Sequence, residues 1–195
     1  MIEDSGRENS VLAPEFTEQD NVVRFFGDRN KITVGQNCDV KTTTVLFYGV
    51  GNRLVIGDNS RVNGASIVFD GQENLLLIGD HVLIWDTFSV AAKGSACKVV
   101  IGNECLFSNH VKIRSSDSHL IFDLSSGVLL NPARDIILGD RIWVGEDVHI
   151  LKGAEIGNDS IIGAGSVVTG KVFPSNSVIA GNPARVIKSN VRWKI

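Results

Sequence analysis

Cysteine is scarce in this chain of 195 residues: Cys38, Cys97 and Cys105 form an odd set with no Cys-x-x-Cys pair. They supply no disulfide framework and point to free thiols in a reducing compartment. Proline (4), methionine (1) and tyrosine (1) are few, and long amphipathic helical patterns are missing. No apolar run approaches the ~18 residues that a membrane span needs. Met1 is followed by Ile2-Glu3-Asp4 rather than by basic residues and an apolar run, so no signal peptide is expected. An excess of one charge is lacking too. The formal net charge is -3 with acids and bases interspersed, which removes the electrostatic case for nucleic acid or an anionic membrane surface. The expectation is a soluble cytoplasmic protein without membrane insertion, built as one domain long enough to bury a core. What is plentiful is glycine (20), with Val and Ile, a composition of short strands joined by tight turns.

The aliphatic residues recur every six positions. Ile156-Gly157-Asn158-Asp159-Ser160-Ile161 is followed by Ile162-Gly163-Ala164-Gly165-Ser166-Val167. An aliphatic residue opens each six, Gly often follows, and a small or aliphatic residue takes the fifth place. The frame runs back through Ile150, Val144 and Leu138, and forward through Val168, Pro174, Ala180 and Val186. Six residues make one short strand and one turn. Three such sides close a triangular coil of about 18 residues, and stacked coils bury the first and fifth residues as an apolar prism. Gly after the opener is read as tolerating the turn backbone.

Upstream coils open at Val34, Ile56, Ile78 and Ile101, separated by 22, 22 and 23 residues, and 37 residues then lead to Leu138. The first two sides of these coils keep the period, so the excess falls at the third corner. Small bulges are expected there, with one protruding loop over residues 118–135. The predicted fold class is all-β: a parallel β-helix, or hexapeptide-repeat solenoid, of about seven coils opening at 34, 56, 78, 101, 138, 156 and 174. Residues 1–30 lack the frame and are read as a lead-in or cap. Residues 31–188 form the β-helix, and 189–195 form a tail that packs against a neighbour.

The stretch from Ile156 to Lys188, IGNDSIIGAGSVVTGKVFPSNSVIAGNPARVIK, closely resembles the C-terminal signature of the hexapeptide-repeat acyltransferase superfamily. The likeness covers most of the chain. Handedness does not follow from a period, since parallel crossovers are nearly always right-handed. The resemblance implies a left-handed β-helix, usually assembled as a homotrimer. A narrower resemblance, from Lys112 to Gly153, is to bacterial capsular polysaccharide O-acetyltransferases of the polysialic acid type. In that group an Asp-x-His opens the protruding loop and a Trp follows in the next coil; the matching positions are Asp117, His119 and Trp143. The run from Ile179 to Ala184 and the later Trp193 echo the same group. The implied activity is transfer of acetyl from acetyl-CoA to a hydroxyl of a bacterial surface saccharide: capsule, O-antigen or sialic acid-type.

The chemistry of such a transfer needs a base for the hydroxyl proton, and imidazole suits that near neutral pH. His119 stands at the root of the loop, where a rigid scaffold presents catalytic groups. Asp117 falls at the fifth place of the six opened by Ile113, an inward slot where a carboxylate is costly unless paired. Orienting His119 would supply that pairing; a corner turn-former bonded to backbone is the other reading of Asp117. Oxyanion donors are expected among backbone N–H groups near the loop and the Trp143-Val144-Gly145 turn. Trp143 suits stacking on a sugar or on pantetheine, or an interface between subunits. Arg114, Trp143 and His149 are the acceptor-binding candidates. His149 departs from the family, which more often has Thr there, and is not read as the base.

By resemblance, CoA lies in a groove between adjacent β-helices. Gly145 and Ala164 would approach the pantetheine arm, with Thr169 beside them. Lys171, Arg185 and Lys188 are the phosphate-contact candidates. Gly170 intervenes between Thr169 and Lys171 where many relatives have Lys directly. No metal is expected: a β-helix carbonic anhydrase needs three His on zinc, and the four His here stand 29, 9 and 30 residues apart without the close pair. Two further alternatives are an amino-sugar N-acetyltransferase and a catalytically inactive binding module on the same scaffold.

Overall fold

The computed structural model describes residues 1–13 and 20–194. Its strands build three sheets that form the sides of a prism. Sheet A stacks Ile2–Asp4, Val22–Phe25, Thr44–Phe47, Ala65–Gln72, Phe88–Ser95, Lys112–Arg114, His149–Leu151 and Val167–Val168. Sheet B stacks Ser10–Leu12, Lys31–Val34, Arg53–Ile56, Leu75–Ile78, Lys98–Ile101, Ile136–Leu138, Glu155–Ile156 and Val172–Phe173. Sheet C stacks Asp39–Lys41, Arg61–Asn63, Leu83–Ile84, Leu106–Phe107, Trp143–Val144, Ile161–Ile162 and Ser177–Gly181. Ala184–Ser189 then returns antiparallel onto the last of these. All other pairings within these three sheets are parallel, and the coil is a left-handed β-helix of about seven turns. No described helix is long and apolar enough to cross a membrane.

The period works as the sequence predicts over most of the chain. Ile78 and Val82, Ile101 and Cys105, Leu138 and Ile142, and Val144 and Val148 are all buried in one continuous core. The N-terminal segment differs from the expected cap. Ile2–Asp4 pairs with Val22–Phe25, and Ser10–Leu12 pairs with Lys31–Val34, so the coil begins ahead of Val34. Within the segment 1–30, residues 14–19 lie outside the described residues. The expected third-corner bulges are strand instead. Ala65–Gln72 and Phe88–Ser95 pair over eight residues, and the added length lets sheet A bury Phe69 and Ala92. Phe25, Phe47 and Phe69 stack there with centroids 4.9 and 4.7 Å apart.

At the corner between A and B, Asn30, Asn52 and Asn74 are fully buried. Each side-chain oxygen accepts the N–H of the residue one coil on, at 2.9 Å from Asn52, 3.0 Å from Asn74 and 3.1 Å from Cys97. Each amide nitrogen donates to a glycine carbonyl, of Gly49, Gly71 or Gly94. The column thus satisfies polar groups that burial would otherwise penalise. The glycines after the openers have a different reason from the one expected. Gly57 and Gly139 are not in the left-handed region; a Cβ on either would collide with the side-chain oxygen of Asp80 or Asn158 one coil on. Most left-handed corner residues are not glycine, among them Asn59, His81, Glu104 and Arg141, although Gly64, Gly153 and Gly165 are also left-handed.

The frame slips by one residue after Val168. Phe173 pairs with Ile156 and is buried, while Pro174 is exposed and Val172 is 75 % exposed. Phe offers more apolar area to the core than Pro, and Pro cannot donate to a ladder. Ile179 then replaces Ala180 as the inward residue, and Val186 is outside the core. The tail packs on its own coil: the Val191 N–H donates to the Asn176 carbonyl, and Trp193 Nε1 donates to the Arg141 carbonyl at 2.7 Å. Ile195 lies outside the described residues.

Candidate functional site

The protruding loop leaves sheet A after Lys112–Arg114 and rejoins the coil at Ile136–Leu138 of sheet B, so it stands on the A–B edge. Ser115 is the last inward residue before departure. It is fully buried, and its hydroxyl bridges the Lys93 N–H (2.9 Å) and the Lys93 carbonyl (3.0 Å). Asp117 is therefore not in an inward slot; it is exposed, as is His119. Beyond His119 the loop folds as a small antiparallel hairpin, with Phe122 bridged to Leu129 and Leu130 N–H donating to the Ile121 carbonyl. Ser125 and Ser126 cap the Asp123 carboxylate at its tip and hold that carboxyl down at about 2. Leu120, Phe122, Leu124 and Leu130 face solvent.

Asp117 does not pair with the His119 side chain. Its Oδ2 accepts from Lys152 Nζ at 2.5 Å and from Asn131 Nδ2 at 2.9 Å. The lysine hydrogen bond first, then that of Asn131, holds the Asp117 carboxyl below the usual carboxylate range. Asn131 Nδ2 also donates to the His119 carbonyl at 2.8 Å, and its Oδ1 accepts the Ile121 N–H. The imidazole of His119 has no hydrogen-bond partner among the described residues. Lys152 and Asn131 were not singled out from the sequence. Lys152 sits in the third place of a six, ordinarily a solvated position, and only the fold brings it to Asp117, 35 residues away.

The remaining candidates separate onto different edges. Gly145 and Ala164 meet at the C–A corner, where a Cβ on Gly145 would come within 2.7 Å of the Ala164 nitrogen. Gly145 is buried and Ala164 exposed. The Trp143 and Gly145 N–H groups donate to the Ser160 and Ile162 carbonyls, so the ladder engages both and neither is free as an oxyanion donor. His149 lies on sheet A, in register with Lys112 and Val167, whereas Trp143 lies on sheet C; the two do not share a face. Trp143 is 39 % exposed and its ring centroid lies 6.1 Å from that of Trp193. Arg114 ends its sheet-A strand beside Leu151, and Thr169 follows the last sheet-A strand. Lys171, Arg185 and Lys188 are exposed, the last two on the returning strand Ala184–Ser189.

Two other features lie apart from His119. A groove of about 690 Å³ runs beneath Trp193, lined by His81, Leu83, Glu104 and Arg141. Arg141 forks onto Asp159 at 2.6 and 2.8 Å, which lowers the Asp159 carboxyl. His110 Nδ1 lies 3.3 Å from Asp147 and 3.8 Å from Glu146. These three exposed side chains have the ligand chemistry of a cation site, with their donor atoms within 4.8 Å of one another.

Comparison with known proteins agrees with this architecture. The bacterial transferase hexapeptide (six repeats) family matches residues 135–170. A polysialic acid O-acetyltransferase of Escherichia coli O1:K1 / APEC is 41 % identical over 97 residues, half of this chain and 31 % of that protein. The chain spans no more than half the length of the first curated relatives it matches. Crystal structures are similar over the whole chain. The polySia-specific acetyltransferase NeuO is 34 % identical with a TM-score of 0.90, 88 % of its own chain being covered. The polysialic acid O-acetyltransferase OatWY is 26 % identical with a TM-score of 0.91, 92 % of its chain being covered. With 34 % identity to the first of these over its whole length, the chain belongs to the hexapeptide-repeat acyltransferases, in the group that includes the polysialic acid O-acetyltransferases.

Proposed function

We propose that this protein transfers acetyl from acetyl-CoA to a hydroxyl of a bacterial surface saccharide, with His119 as general base. The observation that carries the reading is the imidazole of His119, without a hydrogen-bond partner among the described residues and held at the root of the protruding loop on a rigid coil. The imidazole takes the acceptor's hydroxyl proton as the oxygen attacks the thioester carbonyl. The tetrahedral oxyanion collapses, the C–S bond breaks, and the imidazolium returns its proton to the CoA thiolate. Thiolate leaves readily, so no acyl-enzyme is required. The main-chain N–H groups of His119 and Leu120 have no partner among the described residues and stand beside the base, as oxyanion donors must. Trp143 provides an aromatic face for acceptor or thioester, with Arg114 and His149 toward the acceptor.

The donor side is the C–A corner. Glycine at 145 keeps the backbone low, and the exposed Ala164 N–H has no partner among the described residues, which suits a pantetheine carbonyl. Arg185 and Lys188, on the returning strand, are contacts for the rest of CoA, and Thr169 and Lys171, which follow the last sheet-A strand on the A–B edge, are contacts offered to it by an adjoining copy. This corner and the A–B edge lie on opposite sides of sheet A, so one prism cannot join donor and base. A homotrimer, in which the A–B edge of one copy adjoins the C–A corner of the next, completes the site. Acetyl-CoA as donor places the reaction in the cytoplasm. The test is thiol release from acetyl-CoA across a panel of acidic capsular polysaccharides and sugars. His119→Ala is expected to lose about a hundredfold or more in turnover while retaining CoA affinity; full activity in that variant would refute the assignment.

A further inference from the structure

We propose that Lys152 is a positioning residue for His119: through Asp117 and Asn131 it clamps the two ends of the protruding loop and thereby sets the main chain that carries the base. The inference rests on the reading of His119 given above. Five hydrogen bonds make the clamp. Lys152 Nζ reaches Asp117 Oδ2 on the outgoing limb (2.5 Å) and the Asn131 carbonyl on the returning limb (3.0 Å). Asn131 then crosses back, donating from one nitrogen to Asp117 Oδ2 (2.9 Å) and to the His119 carbonyl (2.8 Å). Its oxygen accepts the Ile121 N–H on the far side of His119. His119 is thus held from its carbonyl and from the amide two residues on, while its ring stays free.

The lysine is well placed for this task. Its side chain is only 18 % exposed and projects from the end of a sheet-A strand, His149–Leu151, that the ladder fixes on both sides. A short loop root tied to such a strand inherits its rigidity, and a base needs that: misplacement by about 1 Å costs on the order of a hundredfold. The arrangement also separates two roles for Asp117. A carboxylate that orients an imidazole must bond to the ring. This one gives a single oxygen to both Lys152 and Asn131 and makes no bond to the ring. An amide at position 117 keeps one such oxygen, so Asp117→Asn preserves more of the clamp than Asp117→Ala.

The test measures kinetics and loop order on the full chain. Lys152→Met is expected to lower kcat by about tenfold to a hundredfold and leave KM for acetyl-CoA within about twofold. Lys152→Arg, which keeps cation and donors, should recover most of the loss. Asp117→Asn should be milder than Asp117→Ala, with the pKa on the acid limb of the rate profile unmoved. An acid limb that shifts in Asp117→Asn would instead make Asp117 the ring's electrostatic partner and overturn the proposal. Independently of activity, amide exchange at Ile121 and Leu130 should accelerate about tenfold or more in Lys152→Met, since both amides belong to the clamped loop. Unchanged exchange, in a variant whose melting shows it folded, removes the clamp whatever the reaction proves to be. Loss of the proposed function shows separately, as an active His119→Ala.

Discussion

The Cys105 thiol is 1 % exposed inside the prism, and burial pushes its pKa up to about 12. Its sulfur accepts the Ile142 N–H at 3.4 Å, so this cysteine acts as a small core residue with a weak polar bond. Both thiolate formation and access are suppressed, and a thiol reagent at pH 8 should leave Cys105 untouched in the folded protein. All three cysteines should react once it is unfolded; alkylation of native Cys105 on the same timescale would contradict the assignment. His119 is the opposite case: exposed and without a side-chain partner. The resemblance of its Asp-x-His to that of the capsular O-acetyltransferases singled it out, and the interruption of the six-residue frame placed it at the root of a loop. The partner of Asp117 was not, because Lys152 is anonymous among surface lysines until the coil folds it across.

At the scale of strands, sheet A shows why the extra residues upstream are not bulges. The added residues extend the strand by one inward place, which Phe25, Phe47 and Phe69 fill in successive coils and Ala92 in the next. Phe47 is fully buried between Phe25 and Phe69. Phe47→Ala should cost about 3–5 kcal/mol, the range for emptying a buried Phe site, measured as a shift in the denaturant midpoint. A cost under about 1 kcal/mol would mean that the column closes around the gap. The one-residue slip at Phe173 has the same origin, because a rigid frame yields where a large ring can be buried in place of proline. Spacing alone showed an excess at this side of each coil. Whether that excess loops out or continues the strand depends on pairing with the neighbouring coil, which no single segment carries.

For the whole molecule, the donor corner and the base lie on different edges of one prism, so the proposed chemistry needs copies of the chain to meet. Sedimentation equilibrium should give a mass three times that of the chain, and a monomer that still turns over would rule out a shared site. The six-residue repeat determined the coil, its inward residues from Val34 to Val168 other than at the loop, and the place of the loop, since each depends on local periodicity and on the burial of aliphatic side chains. The resemblance of the C-terminal run supplied the handedness, which periodicity leaves open. Folding decided what joins residues remote in the chain: the pairing of Ile2–Asp4 with Val22–Phe25 and the return of the tail to Arg141. It also took Asp117 from an expected inward slot to an exposed clamp on Lys152. Those contacts are hydrogen bonds across coils. Their partners are chosen by which corners stack above one another, and stacking is a property of the assembled solenoid rather than of any six residues within it.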